Sequence, residues 1–112
     1  MIHYVLALGP PTHAIGPEAW DAFTSTYRYA DFYGLDHVNF APLFGHQYSH
    51  VWIDFRGIVD EYMIEHDLDY FVNSRLATLA QRSYAIENPG GFAGYGADVW
   101  GLTASDGPAV TR

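Results

Sequence analysis

One long helix is the sequence feature that most constrains how this chain can fold. From residue 70 to residue 87, apolar side chains recur at the i, i+4, i+7, i+8 spacing of an amphipathic helix. The Asn88, Pro89 and two glycines that follow are typical of a helix end. We predict a helix over 70–87 whose core-facing stripe consists of Val72, Leu76, Leu79, Ala80, Ser83 and Ile86.

Three shorter helices are predicted earlier in the chain. Residues 1–8 are apolar and stop at Gly9, but no capping residue precedes them, so they have the pattern of the end of a longer helix. We therefore expect Met1 to be an internal methionine and the reading frame to continue upstream. Pro17 and Glu18 open a second helix over 17–29, and residues 58–66 form a third.

The connections between these helices show neither helical nor strand periodicity. Residues 31–42 mix aromatic side chains with Gly34, Asn39 and Pro42, which predicts a shaped loop. Residues 90–107 hold six glycines with aromatic residues between them, which predicts an irregular connection. No strand pattern is convincing, so the predicted fold class is all-α, with about four helices and long aromatic loops.

The composition leaves few charges to cover a core of this kind. Charged residues make up 16% of the chain, against roughly 25% in a usual soluble domain, and hydrophobic residues make up 49%. We expect exposed apolar surface, and hence a piece of a larger domain that is partly molten in isolation. The net charge of -8 argues against nucleic-acid binding. No apolar run is long enough for a membrane span, and the N-terminus lacks a signal-peptide pattern.

The spacing His46-x3-His50-x3-Asp54 gives the first candidate site. On a continuous helix these three side chains would share one face and could offer two imidazoles and a carboxylate to one metal ion. The alternative is that they are polar groups hydrogen-bonded to each other and to the backbone. Gln47 stands where the zinc-protease motif requires Glu, which counts against that class of enzyme.

Carboxylates and aromatic rings give a second set of candidates. Glycosidic chemistry needs two facing acids, and the four acids set among aromatic residues are Glu18, Asp54, Asp98 and Asp106. The others between residues 60 and 69 are expected to form a solvated face: Asp60, Glu61, Glu65, Asp67 and Asp69. The 3 Trp, 9 Tyr and 7 Phe fit a sugar-binding cleft and equally fit a crowded core.

Three long segments carry a family resemblance. They are LGPPTHAIGPEAW (residues 8–20), APLFGHQYSHVWIDFR (residues 41–56, here the central segment) and VWGLTASDGP (residues 99–108, here the C-terminal segment), with NSR (73–75) and AQRSYAI (80–86) between them. Together they resemble the glucoamylase-like domain, the group that includes the endo-β-1,2-glucanases of glycoside hydrolase family 144. They also resemble the C-terminal domain of cyclic β-1,2-glucan synthases, so hydrolysis and transglycosylation both remain open.

The resemblance implies an (α/α)6 toroid around a glucan-binding cleft. Twelve helices need well over 112 residues, so residues 1–112 would be a partial domain, truncated at both ends, and the remainder of that domain would be its partner. The family's catalytic acids would lie outside this chain, so no catalytic residue is assigned and the chain alone is expected to be inactive. The resemblance also suggests a periplasmic or secreted protein.

Residues that match the family's motifs are the predicted substrate-binding residues. They are His46, Gln47, His50, Asp54 and Arg56 in the central segment, and Trp100, Thr103, Ser105 and Asp106 in the C-terminal segment. The resemblance implies a β-glucan substrate, with the β-1,2 linkage favoured, as oligosaccharide or polysaccharide, and no cofactor or metal. The alternatives are a non-catalytic carbohydrate-binding segment and a metal-dependent hydrolase built on His46, His50 and Asp54.

Overall fold

The structure, a computed structural model, describes residues 1–104. Its elements in chain order are α1 (Ile2–Leu8), α2 (Glu18–Thr24), β1 (Tyr29–Phe32), β2 (Leu35–Val38), α3 (Leu43–Gln47), a 3₁₀ turn (Tyr48–Val51), α4 (Glu61–Glu65) and α5 (Tyr70–Glu87). The two strands pair with each other, and β2 and α3 both pack against α5. None of the helices in residues 1–104 combines the length and the apolarity needed to cross a membrane.

A β-hairpin occupies most of the region predicted as an irregular loop. Strands β1 and β2 are antiparallel, with Tyr29 opposite Val38 and Phe32 opposite Leu35. Tyr33 and Gly34 join them with φ angles of 59° and 71°, the left-handed pair that suits the twist of a two-residue hairpin. The all-α prediction was therefore wrong: the described fold is helical with a small antiparallel sheet.

Local hydrogen bonds make two helices shorter than predicted. Helix α2 ends at Thr24 rather than at residue 29, and beyond it the Ser25 and Thr26 hydroxyls donate to the carbonyls of Ala22 and Phe23. Helix α4 starts at Glu61 rather than at residue 58, because the Asp60 carboxylate caps it by accepting from the Met63 N–H at 2.9 Å.

Helix α5 has the predicted bounds but buries a different face. Its ends are capped by the Asp69 carboxylate, which accepts from the Val72 N–H, and by Asn88 in the left-handed conformation. The residues it buries are Tyr70, Asn73, Ser74, Ala77, Ala80 and Ala85. Of the predicted stripe, only Ala80 is buried, Ile86 is 52% exposed and the rest are part-exposed. Apart from Tyr70, the side chains on the buried face are either small or polar, and this face packs against β2 and α3.

The core is an aromatic cluster between the hairpin and the helices. Its buried members are Val38, Phe55, Met63 and Tyr70, and part-buried residues such as Trp20 and Tyr27 pack around them. Asp60 lies at the edge of this cluster, and one of its oxygens accepts from Trp20 Nε1 at 2.6 Å and from the Tyr70 hydroxyl at 2.5 Å. The prediction that Asp60 belongs to a solvated face was therefore wrong.

Candidate functional site

The central segment is broken in two, which separates the three residues of the predicted metal motif. Helix α3 ends at Gln47 and continues as the 3₁₀ turn, which has about 3.0 residues per turn rather than 3.6. His46, His50 and Asp54 therefore do not share one helical face. Among residues 1–104, no three His, Cys, Asp or Glu side chains come close enough to hold a metal ion.

His46 is a buried residue with a fixed hydrogen bond. The side chain lies beneath Phe40, and its Nε2 is 2.9 Å from the Phe40 carbonyl oxygen. A carbonyl only accepts hydrogen bonds, so we assign the proton to Nε2. Burial lowers the pKa of His46 more than the Phe40 bond raises it, so the ring is neutral at pH 7.

His50 is held by a serine of α5. The Ser74 hydroxyl donates its single hydrogen to the His46 carbonyl at 2.8 Å and lies 2.9 Å from His50 Nε2. Since that hydrogen is already used, His50 Nε2 must donate to the Ser74 oxygen. Burial lowers the pKa of His50, although the charges of Asp54 and Asp69 oppose this. The neutral His50 ring therefore braces the central segment against α5, whereas His46 is held to α5 through its backbone carbonyl and its ring bonds to Phe40.

Gln47, Asp54 and Arg56 lie at the surface. The Gln47 amide donates to the Thr78 hydroxyl on α5 at 3.3 Å, a long bond that leaves the side chain exposed. Asp54 forms an ion pair with Arg56 two residues later, with Nη2 and Oδ2 2.5 Å apart. The hydrogen bonds from Arg56 lower the pKa of Asp54 to about 2. Asp54 thus pairs with an arginine and does not orient either imidazole.

The C-terminal segment joins the central segment beside α5. Trp100 and Thr103 are exposed, whereas Ser105 and Asp106 lie outside the described residues. Between the two exposed side chains, the Leu102 carbonyl accepts from the Leu43 N–H at 2.7 Å. The structure therefore brings two of the predicted sets of residues to the same side of α5.

Gln81 makes that junction, and sequence reasoning did not single it out. Its Nε2 donates to the Ala41 carbonyl at 2.6 Å, and its Oε1 accepts from the Leu102 N–H at 2.7 Å. Gln47 is bonded to Thr78, one helical turn earlier on α5. The AQRSYAI segment was part of the family resemblance, but no spacing within it points to a role for Gln81.

Two cavities lie on either side of the Asn39–Phe40 backbone, and His46 lines both. One, of about 260 Å³, lies between the hairpin and α5 and is lined by Phe32, Tyr33, His37, Asn39, Phe40, Ala41, His46, Ala77, Ala80, Gln81, Tyr84 and Leu102. The other, of about 400 Å³, reaches Tyr27, Asn73 and Ser74. Within the described residues, no carboxylate lines either cavity. Their walls offer ring faces and neutral polar groups, which suits binding rather than proton transfer.

The candidate carboxylates lie elsewhere. Glu18 and Asp98 are exposed, and Asp54 is paired with Arg56. Asp60 borders a separate open groove of about 490 Å³ that also contains Glu61 and Glu65. Asp60 is already engaged by three donors, so it serves as a structural anchor at that groove.

Comparison with known proteins places the whole chain in one group. A family model described as "Putative glucoamylase" matches residues 1–112. The chain is 33% identical to an exo-β-1,2-glucooligosaccharide sophorohydrolase (non-reducing end) from Parabacteroides distasonis, over 131 aligned positions that cover 95% of this chain and 18% of that protein.

Solved structures agree. A "putative glucoamylase" from Bacteroides caccae superposes with a TM-score of 0.79 at 35% identity, over 94% of this chain and 27% of that one. An endo-β-1,2-glucanase from Chitinophaga pinensis, in complex with sophorotriose and glucose, superposes with a TM-score of 0.77 at 35% identity, over 91% of this chain and 26% of that one. The chain thus spans between 18% and 27% of the length of these relatives.

Proposed function

We propose, because the chain belongs to the family described as "Putative glucoamylase", that it is part of a glycoside hydrolase domain that acts on a β-glucan, with β-1,2-glucan favoured. The sophorohydrolase and endo-β-1,2-glucanase relatives support the linkage. In this proposal the chain supplies substrate-binding side chains, and the catalytic acids belong to other parts of the full-length protein, whose helices complete an (α/α)6 toroid.

One observation carries the binding role: the two cavities beside α5 have aromatic and neutral polar walls without a described carboxylate. Pyranose rings present C–H faces that stack on aromatic rings and hydroxyls that pair with amides and imidazoles. Such walls bind a sugar without donating or removing a proton at the glycosidic oxygen, which requires an acid.

Residue roles follow from exposure. Gln47, Trp100 and Thr103 are exposed and line neither cavity, so they are proposed to contact the parts of the glucan that extend beyond the cavities, with Asp106 three residues after Thr103 in sequence. Asp54 and Arg56 form an exposed ion pair whose outer edges can accept or donate to hydroxyls. His46 and His50 are engaged with backbone and Ser74, so they are proposed to position this segment.

The test measures reducing-end release by the full-length protein from β-1,2-glucan and, separately, from β-1,3- and β-1,4-glucans. Trp100→Ala should weaken β-1,2-glucan binding by about tenfold, the effect of losing one good ring contact. The matched control is Trp52→Ala, the same change at an exposed tryptophan that lies in the central segment, and it should leave KM unchanged.

Other results would select the alternatives. Binding of β-1,2-gluco-oligosaccharides without cleavage would identify a non-catalytic carbohydrate-binding protein. Loss of activity on chelation with recovery on adding zinc would identify the metal-dependent hydrolase and overturn the sugar-binding proposal. Preference for another linkage would overturn the β-1,2 assignment alone.

A further inference from the structure

We propose that Gln81 is a positioning residue that fastens the C-terminal segment to the central segment, and that this contact sets the affinity for glucan. The second half of the proposal rests on the proposed function. The contact itself is a property of the fold and can be tested without any sugar.

The Gln81 amide is the point at which three parts of the chain meet. It donates from α5 to Ala41 at 2.6 Å and accepts from Leu102 at 2.7 Å. The Leu43 N–H closes the ring by donating to the Leu102 carbonyl at 2.7 Å. Pro42 has no N–H, so Leu43 provides the first backbone donor after Ala41.

Only a side chain with a donor and an acceptor at its tip can make both contacts. A carbonyl cannot donate and a backbone N–H cannot accept, so the orientation of the amide is fixed by its two partners. Glutamate could keep the bond from Leu102 but would place a second acceptor against the Ala41 carbonyl. Methionine has a similar shape and would lose both bonds.

Little else holds the C-terminal segment within the described residues. Its first residue, Val99, forms an isolated bridge with Gly96, and just before the segment the Arg82 guanidinium donates to the Ala97 carbonyl at 3.1 Å. Gly101 has a φ of 104°, a conformation that side-chain-bearing residues rarely adopt, so the turn toward Leu102 is built for glycine. The Gln81 contact, together with the Leu43–Leu102 bond, therefore fixes where this turn lies.

The Gln81 contact lies between the cavity of about 260 Å³ and the exposed side chains of the C-terminal segment. Ala41, Gln81 and Leu102 all line the cavity of about 260 Å³, so the contact forms one edge of that cavity. Trp100 and Thr103 lie two and one residues from Leu102, so fixing Leu102 fixes the backbone from which these exposed side chains project. Of these three residues, only Leu102 lines the cavity, so its release would free the backbone that carries both exposed side chains past the cavity edge.

The first experiment needs no ligand. Amide hydrogen exchange is measured on the full-length protein in peptides covering residues 41–47 and 99–104. Gln81→Met should speed exchange of the Leu43 and Leu102 amides by about tenfold or more, because two hydrogen bonds are lost. Ser83→Ala, two residues further along α5 and part-exposed, is the control and should leave both rates unchanged. Unchanged exchange in Gln81→Met would overturn the proposal.

The second experiment links the contact to glucan. Because the catalytic acids are placed elsewhere, Gln81→Met should raise KM for β-1,2-gluco-oligosaccharides by about tenfold with little change in kcat. Equal loss in kcat with unchanged KM would contradict a positioning role in binding. If the wild-type protein binds no β-glucan, both the proposed function and the claim that Gln81 sets the glucan affinity fail. The hydrogen-exchange result would still decide whether Gln81 fastens the two segments together.

Gln81→Glu gives a readout that general loss of packing would not produce. A protonated carboxyl offers one donor and one acceptor, as the amide does, whereas the carboxylate offers acceptors alone. The Gln81→Glu protein should therefore exchange slowly at low pH and faster as pH rises through the pKa of the new carboxyl, near 4.3 in a model peptide. Base-catalysed amide exchange itself speeds up as pH rises, so the readout is the ratio of the Gln81→Glu rate to the wild-type rate at each pH, which also corrects for the histidines. A flat ratio between the two proteins would count against the proposal.

Discussion

The two faces of α5 differ in a way that reverses the usual arrangement of a surface helix. Beyond Tyr70 at its first position, the face that this chain buries consists of alanines and of Asn73 and Ser74, which bond to β2 and α3. The opposite face carries Leu76 and Leu79, which remain part-exposed within the described residues. Small side chains let two backbones approach closely, and buried polar groups fix their register through hydrogen bonds.

The comparison teaches that α5 is specified by polar contacts on one side and is apolar on the other. The apolar side agrees with the shortage of charged residues, since large apolar side chains are exposed elsewhere too, including Trp52 and Leu6 at 67% each. We expect the full-length protein to cover the apolar face. Substitutions on the two faces should therefore differ strongly in effect.

The largest effect is expected at Asn73. Its side-chain oxygen accepts from the buried Val38 N–H at 2.8 Å, so Asn73→Ala leaves that donor without a partner. We expect a loss of about 2–3 kcal/mol in the free energy of unfolding of the full-length protein, measured by urea denaturation. A loss no larger than that of a Leu79→Ala variant would break the distinction between the faces.

Ser74→Ala should have the next largest effect. The change removes the donor to the His46 carbonyl and the acceptor for His50 Nε2. We expect a loss of about 1–2 kcal/mol, because alanine fills the site but satisfies neither partner. Thr78→Ala, on the same helix but part-exposed, is the control and should cost less. An Ser74→Ala protein as stable as wild type would show that the polar face is not what holds α3.

Acidification should lower the free energy of unfolding, because it protonates the buried histidine that packs beside the polar face of α5. The pKa of His46 is lowered in the folded state by burial, so the unfolded state binds more protons just below the ordinary histidine pKa of 6.5. The stability contributed by the neutral ring is present above 6.5 and is lost as pH falls toward the folded pKa. The slope is at most about 1.4 kcal/mol per pH unit for one histidine. His50 acts in the same direction.

His46→Gln tests this titration directly. It removes the titrating group while keeping an amide that can donate to Phe40, so stability between pH 7 and pH 5 should become flatter than in wild type. Chemical denaturation at several pH values measures the difference. A wild-type protein that gains stability on acidification over this range would contradict the sign.

Leu79→Ala on the apolar face should cost less in the isolated 112-residue segment than in the full-length protein. A part-exposed side chain has little burial to lose, so about 1 kcal/mol or less is expected for the segment. The segment should also bind a hydrophobic dye. A sharp unfolding transition of the segment with no dye binding would show that the apolar face needs no further cover.

The smallest effect on stability is expected for Asp54→Asn. Both partners of the Asp54–Arg56 pair are more than half exposed, and such pairs contribute little. The melting temperature should not change measurably. A fall in β-glucan affinity at unchanged melting temperature would assign the pair to the substrate, whereas unchanged affinity would remove Asp54 from the predicted site.

Local rules predicted the bounds of α5 well, those of α2 and α4 less well, and burial poorly. The bounds of α5 follow from residues adjacent in sequence, such as Asn88, so they could be predicted. Its buried face could not, because apolar periodicity locates the core side of a helix that packs through large side chains, and α5 packs through small ones. The hairpin was missed because neither YADF nor LDHV alternates apolar and polar residues, and Tyr33-Gly34 is not one of the dipeptides that mark a two-residue hairpin turn.

The candidate site shows the same limit. The family resemblance pointed to the central and C-terminal segments, and they do meet. The prediction that His46, His50 and Asp54 share one helical face required a continuous helix, and the 3₁₀ turn interrupts that helix. Gln81 could not be predicted because its partner Ala41 lies 40 residues away and no local pattern marks it. Asp60 caps α4 locally, but its contact with Trp20, also 40 residues away, could not be predicted.

The Asp60 anchor has a consequence for the order in which the chain assembles. Its contact with Tyr70 closes a loop of 10 residues, whereas its contact with Trp20 closes one of 40. Closing the shorter loop costs less chain entropy, so α4 and α5 are expected to associate early and α2 to dock onto them afterwards. A helix that docks last, through the Trp20–Asp60 bond and ring contacts such as Trp20 on Tyr70, is also expected to detach first, which makes the segment around residues 18–24 the expected point of first proteolytic cleavage.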